Sequence, residues 1–207
     1  MTAGDTSRWL DWVRRLQAVA HNGLHYATNP FDEERFEEVR AVAVEMAALG
    51  PDEPEALARS FAQEPGHATP KLDVRGVVVR DGKVLLVRGT DDNAWTLPGG
   101  WAEVGETPSF AVEKEVRQEA GFVVRASKLL AVLDRDARER PRFPYHGWKL
   151  YFLCEELSVG EPDGIETDAV GFFGENELPQ LSFRLPPSHL DRVFAHVRDP
   201  SLPAEFS

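Results

Sequence analysis

Residues 99–122, GGWAEVGETPSFAVEKEVRQEAGF, join two glycines through an acidic loop to a short segment with helical periodicity. Thr107 suits the N-cap of this helix, Pro108 suits its first turn and Gly121 suits its left-handed end. An apolar strip runs along the helix and can seat it against a sheet; it consists of Val112, Val116 and Ala120.

Glu115, Gln118 and Glu119 fall on one side of this helix, beside the apolar strip. The two carboxylates stand four residues apart, so they repel each other by roughly a few tenths of a kcal/mol. A divalent cation removes this repulsion, because carboxylate oxygens are preferred ligands of Mg²⁺ and Mn²⁺. The preceding Gly99 and Gly100 let backbone approach a metal or a phosphate closely. The set is typical of metal-assisted attack of water on a phosphoanhydride, and its alternative is a solvated acidic helix face.

The spacing of the whole stretch is more specific than the carboxylate pair. Five residues separate Gly100 from Glu106, and seven more lead to Lys114 and Glu115. The other matched positions are Val116, Glu119, Gly121 and Phe122. This pattern resembles the signature of the Nudix hydrolases: Gly, five residues, Glu, seven residues, Arg-Glu, an aliphatic, one residue, Glu-Glu, one residue, Gly, an aliphatic. The resemblance implies a Nudix-type α/β/α sandwich with a mixed sheet and Mg²⁺-dependent hydrolysis of a nucleoside diphosphate linked to another moiety.

The resemblance also implies roles for individual residues. Glu115 and Glu119 match metal ligands that carry catalysis, and the carbonyl of Gly99 or Gly100 adds a further ligand. Glu106 matches the carboxylate that supports the junction between loop and helix.

Two positions depart from the family signature. Lys114 replaces the arginine that braces neighbouring carboxylates, so it keeps the charge but loses the planar fork. Gln118 replaces a glutamate that is usually a metal ligand; its amide oxygen can still coordinate, without a charge. Gln118 is either native, with catalysis carried by Glu115, Glu119 and a downstream carboxylate, or a deliberate substitution that lowers the activity of the enzyme.

The chain as a whole has 207 residues and a formal net charge of -12, which argues against nonspecific binding of nucleic acid or anionic membrane. The same charge disfavours an RNA-processing function. Cys154 is the single cysteine, so no intrachain disulfide forms, and it is expected to be a small buried hydrophobe. There is no secretory signal and no apolar run of about 20 residues, so we expect a soluble cytoplasmic protein.

Two domains are predicted, a small all-α domain over residues 1–66 and the Nudix domain over 70–207, joined by a linker near 64–71. The first domain has wide apolar faces and about 65 residues, so it should pack on the second domain or on a second copy. Its sequence resembles the N-terminal domain of a bacterial Nudix subgroup. That resemblance implies a homodimer and CDP-choline pyrophosphatase activity.

The helices of the first domain are predicted from apolar periodicity and capping residues. One helix has apolar residues at three- and four-residue spacing over 9–20 and a stop at Gly23. The next opens at Asp32 as N-cap, with Phe31 and Phe36 as a hydrophobic staple. A third, shorter helix is predicted over 53–63.

The second domain alternates strands with few helices, which indicates an α/β class. Asp81-Gly82 predicts a hairpin between two β-branched runs. A final helix is predicted to begin at the N-cap Ser188. Three further strands are predicted, over Lys128–Leu133, Trp148–Glu155 and Ala169–Phe173.

Weaker patterns predict further site residues outside the signature. Glu166, before a predicted strand, is a candidate catalytic base or further metal ligand, and its alternative is an exposed surface glutamate. Asp134 and Arg135 are candidates for lining the entrance of the site or for a solvated turn. His146 and Lys149 could contact phosphate.

Our leading hypothesis is a homodimeric Mg²⁺-dependent pyrophosphohydrolase, with Mn²⁺ as a possible substitute ion. CDP-choline, giving CMP and phosphocholine, is the first substrate expected, and ADP-ribose or another nucleotide sugar the second. The rival hypothesis is a Nudix-fold protein that senses a nucleotide without cleaving it, supported by Gln118 and Lys114.

Overall fold

The computed structural model describes residues 3–49, 66–135 and 146–206, which divide into two compact units. The first unit contains helix α1 (Ala3–Tyr26) and helix α2 (Pro30–Ala48). The second begins at Leu72 and contains the sheet with two further helices. The predicted helix over 53–63 lies outside the described residues.

Helix α1 packs on α2 through a small apolar cluster that includes Trp9, Val13 and Ala47. The predicted stop at Gly23 is wrong, because α1 continues to Tyr26. Gly23 serves a different purpose: a Cβ built there would lie 2.2 Å from the ring of Phe36, so glycine is needed where α2 crosses closely.

Helix α2 has its N-cap three residues earlier than predicted. Its N-cap is Asn29, whose side-chain oxygen accepts a 2.9 Å hydrogen bond from the main-chain N–H of Asp32. Asp32 is therefore not the N-cap but lies in the first turn, where its negative charge interacts favourably with the helix dipole. The predicted hydrophobic staple between Phe31 and Phe36 is also wrong, because Phe31 lies inside the helix and its side chain is 72% exposed.

The sheet of the second unit has seven strands among the described residues: β1 (Lys71–Arg80), β2 (Lys83–Gly89), β3 (Trp95–Thr96), β4 (Phe122–Asp134), β5 (Gly147–Val159), β6 (Thr167–Phe173) and β7 (Glu205–Phe206). Their order is β3-β2-β1-β5-β4-β7, with β6 also paired to β2. The sheet is mixed, because β4 and β5 form a long antiparallel pair whereas β7 runs parallel to β4.

The strand predictions hold, with longer bounds than the sequence indicated. The hairpin between β1 and β2 turns at Asp81 and Gly82, whose φ angles of 52° and 74° are those that a two-residue turn requires. The three later strands all exist and correspond to β4, β5 and β6. Cys154 is buried in β5, as expected.

Helices α3 (Pro108–Ala120) and α4 (Pro187–Arg198) cover opposite faces of this sheet. Successive residues of β1 alternate between the two cores: Val78 packs with α3, and Val77 packs with α4. This arrangement confirms the predicted α/β/α sandwich. Within the described ranges, no helix combines the length and apolar character that crossing a membrane requires.

The N-cap position of α4 lies two residues before the predicted one. The helix begins at Pro187 after Pro186, and no side chain caps it. Ser188 is therefore not the N-cap, because the two prolines preset the backbone for helix entry without a capping hydroxyl.

Candidate active site

Helix α3 carries the two predicted metal ligands, and its ends form as the sequence predicts. Thr107 Oγ1 accepts a 3.3 Å hydrogen bond from the N–H of Phe110, which caps the first turn. Gly121 ends the helix with φ of 76°, and its N–H donates to the carbonyl of Arg117. The apolar strip is buried against the sheet and comprises Val112, Val116 and Ala120.

A main-chain hydrogen bond joins the loop that contains Gly99 and Gly100, here called the glycine loop, to this helix. The N–H of Gly99 donates to Oε2 of Glu119 at 2.8 Å. Gly99 has φ of 146°, and a Cβ built there would lie 2.0 Å from the carbonyl oxygen of Val74. Only glycine therefore lets the loop run this close to β1 and still present its N–H to Glu119.

The loop also approaches the second carboxylate. A Cβ built on Gly100 would lie 2.9 Å from Oε2 of Glu115. The carbonyls of Pro98 and Gly100 each accept a 2.8 Å hydrogen bond from β1. Because the Gly100 carbonyl is engaged in the sheet, Gly99 is the better placed of the two proposed carbonyl ligands.

The two carboxylates are held in surroundings that disfavour their charge. Burial, together with the charges of Glu115 and Glu166, raises the pKa of Glu119 to about 7, although the charge of Arg75 and the hydrogen bond from Gly99 oppose the shift. The pKa of Glu115 is likewise raised, chiefly by burial and also by Glu166, although Lys114 opposes the shift. A divalent cation would add to the positive charge of Arg75 and Lys114, which does not offset the burial of these carboxylates, so the residues fit a metal.

The carboxylate donors nevertheless do not form a closed cage. In the described part of the chain, no group of three or more His, Cys, Asp or Glu side chains is arranged to hold a metal. Two carboxylates with a backbone carbonyl leave coordination positions open, which suits Mg²⁺ because this ion usually retains waters and takes substrate phosphates as ligands.

Glu166 lies within electrostatic reach of this pair, although it comes 47 residues after Glu119 in the sequence. It is exposed and immediately precedes β6. Its carbonyl accepts a 2.9 Å hydrogen bond from the N–H of Thr90, which fixes its backbone at the end of β2. Its negative charge contributes to the raised pKa values of both Glu115 and Glu119.

Lys114 connects the loop with the helix in the way predicted for a brace. Its ammonium lies 2.8 Å from Oε1 of Glu106 and 3.7 Å from carboxylate oxygens of both Glu103 and Glu115. The hydrogen bond from Lys114 lowers the pKa of Glu106. Lysine therefore keeps the contacts of the junction despite lacking the guanidinium fork.

Gln118 stands in the last turn of α3, where the helix is tied to the segment before β6. Its main-chain carbonyl accepts a 2.9 Å hydrogen bond from the N–H of Asp163. The Thr167 hydroxyl donates to the carbonyl of Glu119 at 2.6 Å. These bonds hold the end of α3 against the segment that carries Glu166.

The other predicted substrate residues take different positions. Arg135 is buried, with its guanidinium carbon 5.0 Å from the ring centre of Trp101. Asp134 ends β4 opposite Trp148. His146 is exposed, and its carbonyl accepts a hydrogen bond from the N–H of Lys71.

Lys149 lies inside the protein and is only 1% exposed. Its ammonium donates to the carbonyl of Arg184 at 2.6 Å and lies 3.4 Å from Asp73. Burial, together with the charge of Arg75, lowers its pKa to about 7. The structure therefore does not present Lys149 on a surface where it could meet a phosphate.

A buried ion pair in β1 was not singled out from the sequence. Arg75 donates to both carboxylate oxygens of Asp73, at 2.6 and 3.0 Å, and to the carbonyl of Leu97 at 3.0 Å. It thereby braces the chain two residues before Gly99, and its charge acts on Glu119. The available signal was the presence of two charged residues in the otherwise apolar run LDVRGVVV.

Two family models match this chain. Residues 70–194 match the NUDIX domain, and residues 7–61 match the UDP-X-like, N-terminal oligomerisation domain.

Relatives are similar over nearly the whole length. The "Putative ADP-ribose pyrophosphatase YjhB" of Bacillus subtilis (strain 168) is 39% identical over 196 residues, which cover 94% of each chain. A crystal structure of UDP-X diphosphatase is 31% identical, covers 98% of this chain and 99% of its own, and has a TM-score of 0.61. An ADP-ribose pyrophosphatase from Streptococcus suis 89-1591 is 34% identical over 67% of this chain and 100% of its own, with a TM-score of 0.60. The family predicted from residues 99–122 is thus confirmed, and this chain belongs to the Nudix hydrolases.

Proposed function

We propose that this enzyme is an Mg²⁺-dependent pyrophosphohydrolase whose metal is held by Glu115, Glu119 and the carbonyl of Gly99. The observation that carries the proposal is the desolvated pair of carboxylates on α3 beside Gly99 and Gly100, with Glu119 fixed by the N–H of Gly99. Gln118 is a candidate neutral ligand on the same side of α3. Mn²⁺ could replace Mg²⁺, because both ions take oxygen ligands.

A bound divalent ion supplies charge neutralisation for a diphosphate and lowers the pKa of an attacking water. The chain itself supplies orientation. The N–H of Gly99 fixes the carboxylate of Glu119. The ammonium of Lys114 pairs with Glu106 and so braces the loop before α3. Glu166 is exposed beside the pair, so its carboxylate can accept a proton from water and is our candidate for the general base. Asp134 and Arg135 remain candidates for the entrance of the site.

The substrate we propose is a nucleoside diphosphate linked to another moiety. The names of the relatives support ADP-ribose and UDP-linked compounds. CDP-choline stays in the proposal because the N-terminal domain resembles that of a subgroup with this activity. The pyrophosphatase relatives favour the enzyme over the nucleotide-sensing alternative.

A substrate panel tests this proposal. ADP-ribose, UDP-glucose and CDP-choline are incubated with the protein and Mg²⁺, and release of AMP, UMP or CMP is measured. Glu119→Gln should lower kcat/KM by about 100-fold or more, because several kcal/mol of charge stabilisation depend on the metal. Glu177→Gln is the control, since Glu177 is exposed and pairs only with Lys83 among the contacts described. The proposal fails if wild type releases no nucleoside monophosphate from the panel.

We also propose that α1 mediates assembly with a second copy of the chain. Its exposed face carries a stripe at seven-residue spacing: Trp12, Val19 and Tyr26 are 47%, 55% and 64% exposed. Large apolar side chains at this spacing form one seam along a helix, which is typical of helix–helix interfaces. The match to an oligomerisation domain supports the same conclusion.

A further inference from the structure

A buried ion pair in β1 lies beside the glycine loop. Asp73 and Arg75 are only 3% and 5% exposed. The guanidinium of Arg75 donates through Nε and Nη2 to the two carboxylate oxygens of Asp73, at 2.6 and 3.0 Å. Its remaining nitrogen, Nη1, donates to the carbonyl of Leu97 at 3.0 Å. One side chain therefore joins a buried carboxylate to the main chain that leads into the glycine loop.

Stability alone gives little reason for this ion pair. Removing two charges from water costs about as much free energy as their attraction returns, and apolar residues can often replace a buried ion pair without loss. The neighbouring Val74, Val77 and Val78 show that this part of β1 otherwise packs into the apolar cores. What Arg75 adds, and an apolar side chain could not, is a hydrogen-bond donor to the carbonyl of Leu97.

The bond from Arg75 adds to two main-chain anchors between β1 and residues 97–100. N–H groups of β1 donate to the carbonyls of Pro98 and Gly100, at 2.8 Å each. These bonds hold the middle and the end of the segment. The carbonyl at its start is fixed by a side chain instead.

The anchored segment carries the N–H group that orients Glu119. Gly99 stands two residues after Leu97, and its N–H donates to Oε2 of Glu119 at 2.8 Å. Consecutive Cα atoms are about 3.8 Å apart, so a displacement of Leu97 passes to Gly99 with little slack. Arg75 also lies within electrostatic reach of Glu119, because its positive charge opposes the rise in the pKa of that carboxyl.

The carboxylate that holds Arg75 is itself held from another strand. The ammonium of Lys149, on β5, lies 3.4 Å from Oδ2 of Asp73 and donates to the carbonyl of Arg184 at 2.6 Å. Asp73 and Lys149 are both buried, so the two strands fix the ion pair from two sides.

We propose that Arg75 is a positioning residue of the metal site: its planar fork, held by Asp73, fixes Leu97 and so keeps the N–H of Gly99 on the carboxylate of Glu119. The inference rests on the function proposed above, in which Glu119 is a metal ligand. Arg75 acts through Leu97 and Gly99 and contacts neither metal nor substrate in this role. Arg75→Lys tests the fork, because lysine keeps the positive charge but loses the fixed arrangement of donors.

Amide hydrogen exchange, followed by NMR on the metal-free full chain, reports on the bond between Gly99 and Glu119 directly. In Arg75→Lys the N–H of Gly99 should exchange about tenfold faster or more, beyond any change in the amides of the β4–β5 pair, which report on global unfolding. Arg80→Lys is the matched control. Arg80 also lies on β1 and pairs with a carboxylate, that of Glu156 at 2.8 Å, but it is exposed at the end of the strand that turns into β2. This control should leave Gly99 at the wild-type rate.

Turnover shows whether the position matters for the reaction. At saturating Mg²⁺, Arg75→Lys should lower kcat by about tenfold or more on the nucleotide of the panel that wild type hydrolyses fastest. KM should stay within about threefold, because a misplaced metal ligand affects the transition state more than binding of the substrate. If wild type hydrolyses none of the panel, the proposed function fails, and the exchange of Gly99 still tests the positioning by Arg75.

Two results would overturn the proposal: Gly99 exchanges in Arg75→Lys as it does in Arg80→Lys, or its exchange accelerates while kcat stays at the wild-type value. Asp73→Asn is the second variant if Arg75→Lys does not fold. It replaces one acceptor oxygen of the fork by an NH₂ group, so the same local acceleration at Gly99 is expected. A folded Asp73→Asn protein with wild-type exchange at Gly99 would equally overturn the proposal.

Discussion

The main-chain N–H of Gly99 donates to the carboxylate of Glu119, which joins the glycine loop to the helix that carries the proposed metal ligands. The bond fixes the direction of a side chain whose pKa burial has raised to about 7. The carboxylate is thus oriented in advance, and the charge of Arg75 compensates its burial only in part. A bound cation would complete this arrangement, whereas the sequence alone showed only the carboxylate repulsion.

Replacing Gly99 by alanine should disable the site and destabilise the protein. The added Cβ would lie 2.0 Å from the Val74 carbonyl at a φ of 146°, so the loop must move away from Glu119. We expect a loss of about 2 kcal/mol or more in the free energy of unfolding, measured with urea. Gly105→Ala is the control, because its φ is also positive but its Cβ would have no neighbour within 4 Å. Equal losses of activity in the two variants would contradict the close-approach argument.

The stability of the metal-free protein should fall as pH rises from about 4.5 to 7. The carboxyl of Glu119 titrates near 4.5 when unfolded and near 7 when folded, so the native state binds the extra proton in this window. Glu119→Gln removes this contribution. In EDTA, the free energy of unfolding of Glu119→Gln should exceed that of wild type by an amount that grows between pH 4.5 and 7. The difference should reach at most about 3 kcal/mol and stay constant above pH 7. Urea unfolding at pH 5, 6, 7 and 8 measures the difference; parallel curves would exclude a raised pKa.

Gln118→Glu should strengthen metal binding and turnover, because it adds a charge on the side of α3 that carries Glu115 and Glu119. One additional carboxylate near the ion should tighten binding by roughly tenfold, equivalent to about 1.4 kcal/mol. Activity against Mg²⁺ concentration measures this change, and Gln118→Ala serves as the matched control. If both substitutions give the same Mg²⁺ dependence, residue 118 does not contact the metal.

Charges on the exposed stripe of α1 should dissociate the assembly. Val19→Glu with Tyr26→Glu places two carboxylates in the proposed seam, where burial without partners is unfavourable. Sedimentation should then report a monomer, whereas wild type should sediment as a dimer. Phe110→Glu is the control, because Phe110 is 56% exposed on α3 and lies outside the stripe. A wild-type monomer, or a double variant that remains dimeric, would contradict this interface.

Local patterns predicted much of the fold and of the site. Thr107, Pro108 and Gly121 act within one turn of their own helix, so their roles can be read directly from sequence. The signature likewise groups Glu115 with Glu119, because four residues make almost one helical turn.

Features that depend on distant partners could not be predicted in this way. Gly23 resembles a helix stop, but the ring of Phe36 on another helix determines its role. The position of Lys149 in the interior depends on Asp73 and Arg184, which lie far away in the chain. Glu166 comes within electrostatic reach of Glu115 and Glu119 through the pairing of β6 with β2, which residue spacing does not reveal.

The affinity of the protein for Mn²⁺, measured by electron paramagnetic resonance, tests the central claim most directly. Glu115→Gln and Glu119→Gln should each weaken binding by about tenfold or more, since each removes one ligand charge. Glu113→Gln is the matched control on the same helix: Glu113 accepts a hydrogen bond from the N–H of Ala126, and an amide oxygen can keep that bond. The account predicts that this control binds Mn²⁺ as wild type does. Wild-type affinity in the Glu115 and Glu119 variants would contradict it.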